Sequence, residues 1–554
     1  MRKEKKGEVV AWLLLAGSLA LLLYLNIFHH DNRLNSDMAA EMIFSKELME
    51  TGHFFATPDW YYSTEFRFLY THWIMGPLFH VFKSWHVIRA LTNLITYGLM
   101  LASYFFFMKP FRVRRSLVIG SSVLLLLPFS ETMMLHMQMG NTYMFHVIIS
   151  FLFMGCFVRI TNREAGQKQA LEGKKQASVK TQQSSRKACW LVAYVILGVI
   201  CGVSGVRYLL ALQCPLVIAM FVFSLKSAEF KTFRQELAKE NWKGKCKEFL
   251  RGSQLTYLWY AILGAFAAVM GYGINVFYVC SKYVFQTYEV TNFVSVYEGV
   301  FLDRVQNAFG SLLMLFGYVP DRGVLSLQGL ISMISFVLIA IFGWIAVSCA
   351  KAEKGQRDML VTFFWVQLFV NVFVFLFSTN TMVPRYYITI YIFLLPLLCF
   401  YLEKEERFFD RVVVVGLLTI CLATTTGKET LSFVKSERNT ELKKVATALK
   451  ESGLHFGYAS YWNANILTEL TDGEVEVANV ADAQSLEFFR WSSPARYYDE
   501  PYDGPVFLLL TASECIEARY APSVRSGEII FDNGVFVILK YESQQALLEL
   551  RKTE

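Results

Sequence analysis

The chain has 554 residues, of which 54% are hydrophobic and 16% aromatic, and a formal net charge of +7 at pH 7. Its mean hydropathy of +0.36 and its apolar blocks of bilayer length exclude an ordinary soluble protein and define an integral membrane protein. The Lys and Arg residues are gathered in particular loops, not on one folded face, so the positive charge reports topology and not nucleic-acid binding.

The first apolar run, Val9 to Phe28, stands behind the basic stretch "MRKEKK". At about 20 residues, and without a small-x-small cleavage pattern, it reads as a membrane-spanning helix and not as a signal peptide. From His29 to Phe82 the composition changes: Asp31, Asp37, Glu41, Asp59 and Glu65 are set among Tyr, Trp and His. Neither a span nor a solvated linker has that composition, and the loop 29–85 is read as a folded active-site loop on the outer face. Ser36 is the expected N-cap of a short helix that carries Asp37 and Glu41 four residues apart on one face, with Asp37 favoured by the helix dipole.

An acidic residue just beyond the first span, followed by "TGHFFATPDWYY" and an acidic-aromatic cluster before the next apolar segment, resembles the first outer loop of the GT-C glycosyltransferases. Within that superfamily the pattern is similar to dolichyl-phosphate-mannose mannosyltransferases and aminoarabinose transferases. The resemblance implies a polytopic enzyme that takes sugar from a polyprenyl-phosphate carrier. Many members carry two adjacent acids at this place; here Met38 follows Asp37 and the next acid is Glu41.

Further apolar runs lie near His86 to Met108, Ser116 to Phe129, Thr142 to Ile160, Cys189 to Ser204, Tyr208 to Leu225, Thr256 to Tyr278, Leu325 to Cys349, Met359 to Ser378, Tyr386 to Leu402 and Val412 to Thr426. With the first they make about eleven spans of roughly 20 residues. This path puts the N-terminus, "KPFRVRR", "KAEKGQR", "EKEERFFDR" and two long basic inserts in the cytoplasm, as the positive-inside rule asks. The first insert, "TNREAGQKQALEGKKQASVKTQQSSRK", has no periodicity and is expected to be a mobile loop. The outer stretch from Cys280 to Val324, with Tyr288, Glu289, Glu298, Asp303 and Arg304, ends in an apolar piece expected to be a re-entrant or interfacial helix.

The fold class that follows is mostly α: a GT-C-like polytopic bundle over residues 1–426, then a small extracytoplasmic α/β domain over 427–554. Strands are expected at "HFGYASY", "EVEVANV", "PVFLLLT", "EIIFD" and "VFVILKY", with Asp532-Asn533-Gly534 as the hairpin turn between the last two. Most cysteines lie in apolar segments and only Cys515 falls in the outer domain, so no disulfide framework or zinc motif is expected.

Sugar transfer to a hydroxyl needs a base for the acceptor and cations for the leaving phosphate. Asp37 is the expected base, with Glu41 and Glu65 as second choices for orienting acceptor or cation. Arg207-Tyr208 and Arg385-Tyr386, at outer helix ends, are the expected phosphate clamps; snorkelling to lipid headgroups is the competing reading. Oxygen ligands suit magnesium or manganese, so a divalent cation at Asp37 and a neighbouring carboxylate is the metal reading. The expected function is transfer of a hexosyl or pentosyl unit from a polyprenyl-phosphate-linked sugar to an envelope glycan, lipid or protein acceptor at the outer face of the cell membrane. The alternative is a polytopic transporter or flippase of lipid-linked glycans, which should place ionisable groups at mid-membrane.

Overall fold

The computed structural model describes residues 2–162, 176–226, 255–286, 291–297, 299–404 and 408–552. Most of the first basic insert, the second beyond Lys226, and Tyr288, Glu289 and Glu298 lie outside the described residues. Eight helices among the described residues are long and apolar enough to cross a bilayer, beginning with Lys5–Phe28 and Trp85–Phe111 and ending with Asp410–Val434. Two bent pairs raise the number to ten at most, slightly below the expected eleven.

The shortfall of one comes from the run Tyr208 to Leu225, and another expected span, Ser116 to Phe129, is broken. The run Ser116 to Phe129 does not cross as one helix: Arg115–Leu126 and Glu131–Met139 meet at 89°. Leu127 is extended (φ −76°, ψ 122°) because Pro128 follows it, and the residue before a proline is pushed out of the helical region. The run Tyr208 to Leu225 is present as Leu209–Leu225, shorter than a comfortable span. The expected mobile insert is also shorter than its sequence suggested, since a helix begins at Gln176 and continues unbroken to Val203.

Behind the bend, Met134–Met139 is a π-helix. A buried polar ladder holds it against the first two spans. Asn26 donates to the Tyr97 hydroxyl at 2.9 Å, Tyr97 donates to the Gln138 carbonyl, and Asn93 donates to the Met139 carbonyl at 3.3 Å. Asn141, at φ 55°, donates to Asn93. Amides and a phenol buried in an apolar bundle are costly unless paired, and here they pair with one another.

At one end of the bundle, β1 (Trp60–Tyr61) belongs to the loop between the first two spans. The C-terminal sheet comprises β2 (Phe456–Ser460), β3 (Glu476–Val480), β5 (Val506–Thr511), β6 (Glu528–Asp532) and β7 (Phe536–Tyr541), in the order β3-β2-β5-β7-β6. The first three are parallel and β7 runs antiparallel to both β5 and β6. All five strands lie where the sequence places them. At the β6–β7 turn Gly534 has φ +79°, and the Asp532 and Asn533 side chains accept from the turn amides at 2.8 to 3.0 Å, which is the turn chemistry that makes Asp-Asn-Gly a hairpin signal.

Two joints dock this sheet on the first outer loop. β1 pairs antiparallel with β4 (Ser493–Pro494), so the aromatic segment around Pro494 packs on the loop. Arg89, at the outer start of the second span, forms a buried fork with Glu469, both nitrogen–oxygen distances being 2.6 Å. Arg89 also donates to the Met38 carbonyl at 2.9 Å, one residue beyond Asp37.

Candidate active site

The helix that carries the loop acids runs Ser36–Glu50. Its N-cap is Asn35, not Ser36: the Asn35 side chain accepts from Met38 N at 3.0 Å, while the Ser36 hydroxyl donates to the Tyr461 carbonyl. A longer acceptor one residue earlier closes the first turn and releases the serine to bind the C-terminal region.

Asp37 is exposed while both its neighbours in sequence are buried, so it projects from the helix into open space. Its Oδ1 accepts from the Tyr461 hydroxyl at 2.6 Å. Burial, and then the Asp37 charge and hydrogen bond, push the Tyr461 phenol well above its ordinary pKa, so it remains a donor. Glu41, one turn on, sits in a different environment. Arg67 pairs with it, and Thr71 donates to its second oxygen at 3.3 Å. Burial pushes the Glu41 carboxyl up, against the pull of Arg67.

Glu65 pairs with Arg207 at 3.0 Å. Arg207 follows Gly205, whose φ of +101° turns the chain out of the Gln176–Val203 helix. It donates to the Tyr143 hydroxyl at 3.1 Å. Burial alone would lower the Arg207 pKa, but the Glu65 carboxylate raises it above the ordinary value and keeps the guanidinium charged. Arg207 and Arg385 both approach the ring of Tyr386, at 5.8 Å and 5.7 Å from its centroid. His136, on the π-helix, is within electrostatic reach of Arg385, Asp37 and Arg207 together.

Asp37, Glu41, Glu65, Arg207, Arg385 and Tyr386 are thus neighbours at one end of the bundle. Tyr208 is turned away into the bundle, where it stacks on His146 with ring centroids 4.8 Å apart. Arg67, Tyr143 and Tyr461 complete the group, and no local spacing marks them: Tyr461 reaches Asp37 from 424 residues away in sequence. Among the described residues, the His, Cys, Asp and Glu side chains grouped closely enough for a metal ion are His30, Asp31 and His86, apart from Asp37.

The overall fold has known structural counterparts. The chain is similar to ArnT from Cupriavidus metallidurans in the apo state, with a TM-score of 0.53 at 12% identity over 99% of each chain. It is similar also to ArnT of that organism bound to undecaprenyl phosphate, with a TM-score of 0.51 at 13% identity over 95% of this chain and 97% of that one. An oligosaccharyltransferase of Archaeoglobus fulgidus tethered to an acceptor peptide aligns with a TM-score of 0.49 at 10% identity, over 98% of this chain and 77% of that chain. No family model and no curated protein sequence matches the chain. The fold is shared with the two ArnT structures, a multi-pass helical bundle with a small sheet.

Proposed function

We propose that this protein is a membrane glycosyltransferase that moves a sugar from a polyprenyl-phosphate donor to an envelope glycan, lipid or protein acceptor. The observation that carries the reading is the meeting of one exposed carboxylate, Asp37, with the arginines Arg207 and Arg385 around Tyr386 at one end of a membrane bundle. The undecaprenyl phosphate bound to a protein of similar fold supports a lipid phosphate as the ligand class.

In this reading Asp37 takes the proton of the acceptor hydroxyl. The acceptor oxygen bonds to the anomeric carbon while that carbon's bond to the phosphate oxygen breaks, and the electron pair leaves with the phosphate. Arg207 and Arg385 hold the charge that appears there, as fixed guanidiniums suit phosphate oxygens. Glu41 and Glu65 are less suited to be the base, since each is engaged by an arginine; their part is to position Arg67 and Arg207. Arg67 and Thr71 engage both oxygens of Glu41, and a magnesium or manganese ion at Asp37 with a neighbouring carboxylate would be held through the lone pairs that remain.

The reading puts the N-terminus in the cytoplasm and the Asp37 loop and C-terminal sheet outside, with the division between bundle and outer domain after Val434, where the last span ends. Cysteine reporters at Asn32 and Ser492 then react with a membrane-impermeant reagent in intact cells. The decisive experiment is sugar transfer from a polyprenyl-phosphate-linked donor in purified membranes, wild type beside Asp37→Asn. Turnover falls by about 100- to 10,000-fold with donor binding retained, the usual worth of a general base; near-normal turnover removes Asp37 from that role.

A further inference from the structure

His30, Asp31 and His86 take no part in the proposed transfer, yet each offers a ligand atom within 4.8 Å of the others. His30 and Asp31 close the first span, and His86 opens the second. The His30 ring is buried, with Nδ1 3.4 Å from Asp31 Oδ1. Its Nε2 has no hydrogen-bond partner among the described residues. His86 is held from the other side, its Nε2 lying 3.0 Å from the Ile27 carbonyl.

A carbonyl only accepts, so His86 Nε2 carries the hydrogen. In the neutral ring, Nδ1 then presents a bare lone pair, and it lies 3.7 Å from the same Oδ1 of Asp31. Two lone pairs facing one another require a proton or a metal ion between them.

We propose that these three side chains hold one divalent transition-metal ion, zinc by preference. Two imidazole nitrogens and one carboxylate oxygen suit a borderline-soft ion, whereas magnesium and calcium favour oxygen shells. Bonds of about 2.0–2.2 Å in tetrahedral geometry set donor atoms roughly 3.3–3.5 Å apart, so the 3.4 Å and 3.7 Å separations from Asp31 need shifts of only a few tenths of an ångström, and the two imidazole nitrogens, within 4.8 Å of one another, close the rest by side-chain rotation. The His86–Ile27 bond is of the kind that orients metal-bound histidines and fixes which nitrogen is free. Asp31 and His86 are 38% and 37% exposed, which gives the ion a route in and leaves water for the fourth position.

The group competing for the carboxylate is Lys443, whose Nζ is 3.6 Å from Asp31 Oδ2. It is 40% exposed on a flexible stem and can move aside. An occupied site would staple the exit of the first span to the start of the second, six residues before Asp37.

The test uses the full chain in detergent, stripped with a chelator, incubated with zinc, freed of excess metal, and assayed for metal by mass spectrometry. The wild type retains one zinc per chain, its melting temperature rises with zinc, and the His30→Ala/His86→Ala variant retains none. A wild type that retains no zinc overturns the proposal and leaves a protonated His86 as the bridging group. So does an equal zinc content in wild type and variant, which moves the metal elsewhere. Should the double variant not fold, Asp31→Asn, which keeps the shape, decides in the same way: lost zinc supports the site and retained zinc refutes it.

Discussion

The first loop and the C-terminal sheet, which meet at one end of the bundle, are built on different plans. One face of the C-terminal sheet closes a core of its own region, with Tyr458, Leu508, Leu539 and Tyr497, while the other, with Val477, Phe507, Leu509 and Ile538, shares a core with Leu34 and Met38 of the first loop and Met134 and Met139 of the π-helix segment. The first outer loop has an aromatic cluster around Phe44, Trp60 and Tyr62, but its acids are held largely by groups from elsewhere. Glu65 is held by Arg207 from a distant turn, Asp37 by Tyr461 from the C-terminal region, and the backbone beside Asp37 by Arg89, itself clamped to Glu469. A region with a core of its own on one face thus braces, across the other, a loop whose acids depend on outside partners, and that loop carries the chemistry proposed here.

That contrast can be broken at four places. The largest effect is expected at Asp37: Asp37→Asn lowers turnover by about 100- to 10,000-fold without loss of donor binding. Glu41→Gln instead disturbs Arg67, so the ratio of the two losses in one transfer assay separates base from positioning group.

The next effect is on stability. Removing one partner of a buried ion pair strands the other charge, so Glu469→Ala is expected to cost about 3–5 kcal/mol. Replacing both, as Arg89→Met with Glu469→Met, loses less, because no buried charge remains. Denaturant unfolding of the purified protein measures both. A single variant as stable as wild type would mean that the sheet does not brace the loop through this pair.

A smaller effect is expected from Tyr461→Phe, which deletes only the hydrogen bond to Asp37. Bonds to charged groups are worth roughly 1.5–3 kcal/mol, so kcat/KM falls by an amount within that range while the fold is retained. Unchanged kinetics would make the C-terminal region a brace for the backbone alone.

The smallest concerns Glu47, which lies between the loop and the sheet, 3.4 Å from Arg496. Burial, opposed by Arg496, pushes its carboxyl up to about 7. The folded protein therefore keeps a proton that the unfolded chain has released, and stability falls as pH rises between about 4.5 and 7. Glu47→Gln flattens that slope in melting curves taken across the window, whereas an unchanged slope assigns the dependence to other groups.

Much of this architecture was legible in the sequence because it rests on local physics. Bilayer-length apolar runs, the five strands and the Asp532-Asn533-Gly534 turn all declare themselves within a few residues, since backbone satisfaction in lipid, side-chain alternation and turn geometry are short-range requirements. The acids of the first loop, Arg207 and Arg385-Tyr386 could be picked out as candidates, whereas Tyr208 stacks on His146 inside the bundle. Which of the acids are free was not legible: Glu41 and Glu65 read like Asp37 until Arg67 and Arg207 are seen beside them. The Arg89–Glu469 clamp joins residues 380 apart in sequence, and the His30, Asp31 and His86 group crosses between two spans. Neither leaves a spacing in the chain, because the partner of a buried charge is chosen by packing in three dimensions, and only the folded structure carries that choice.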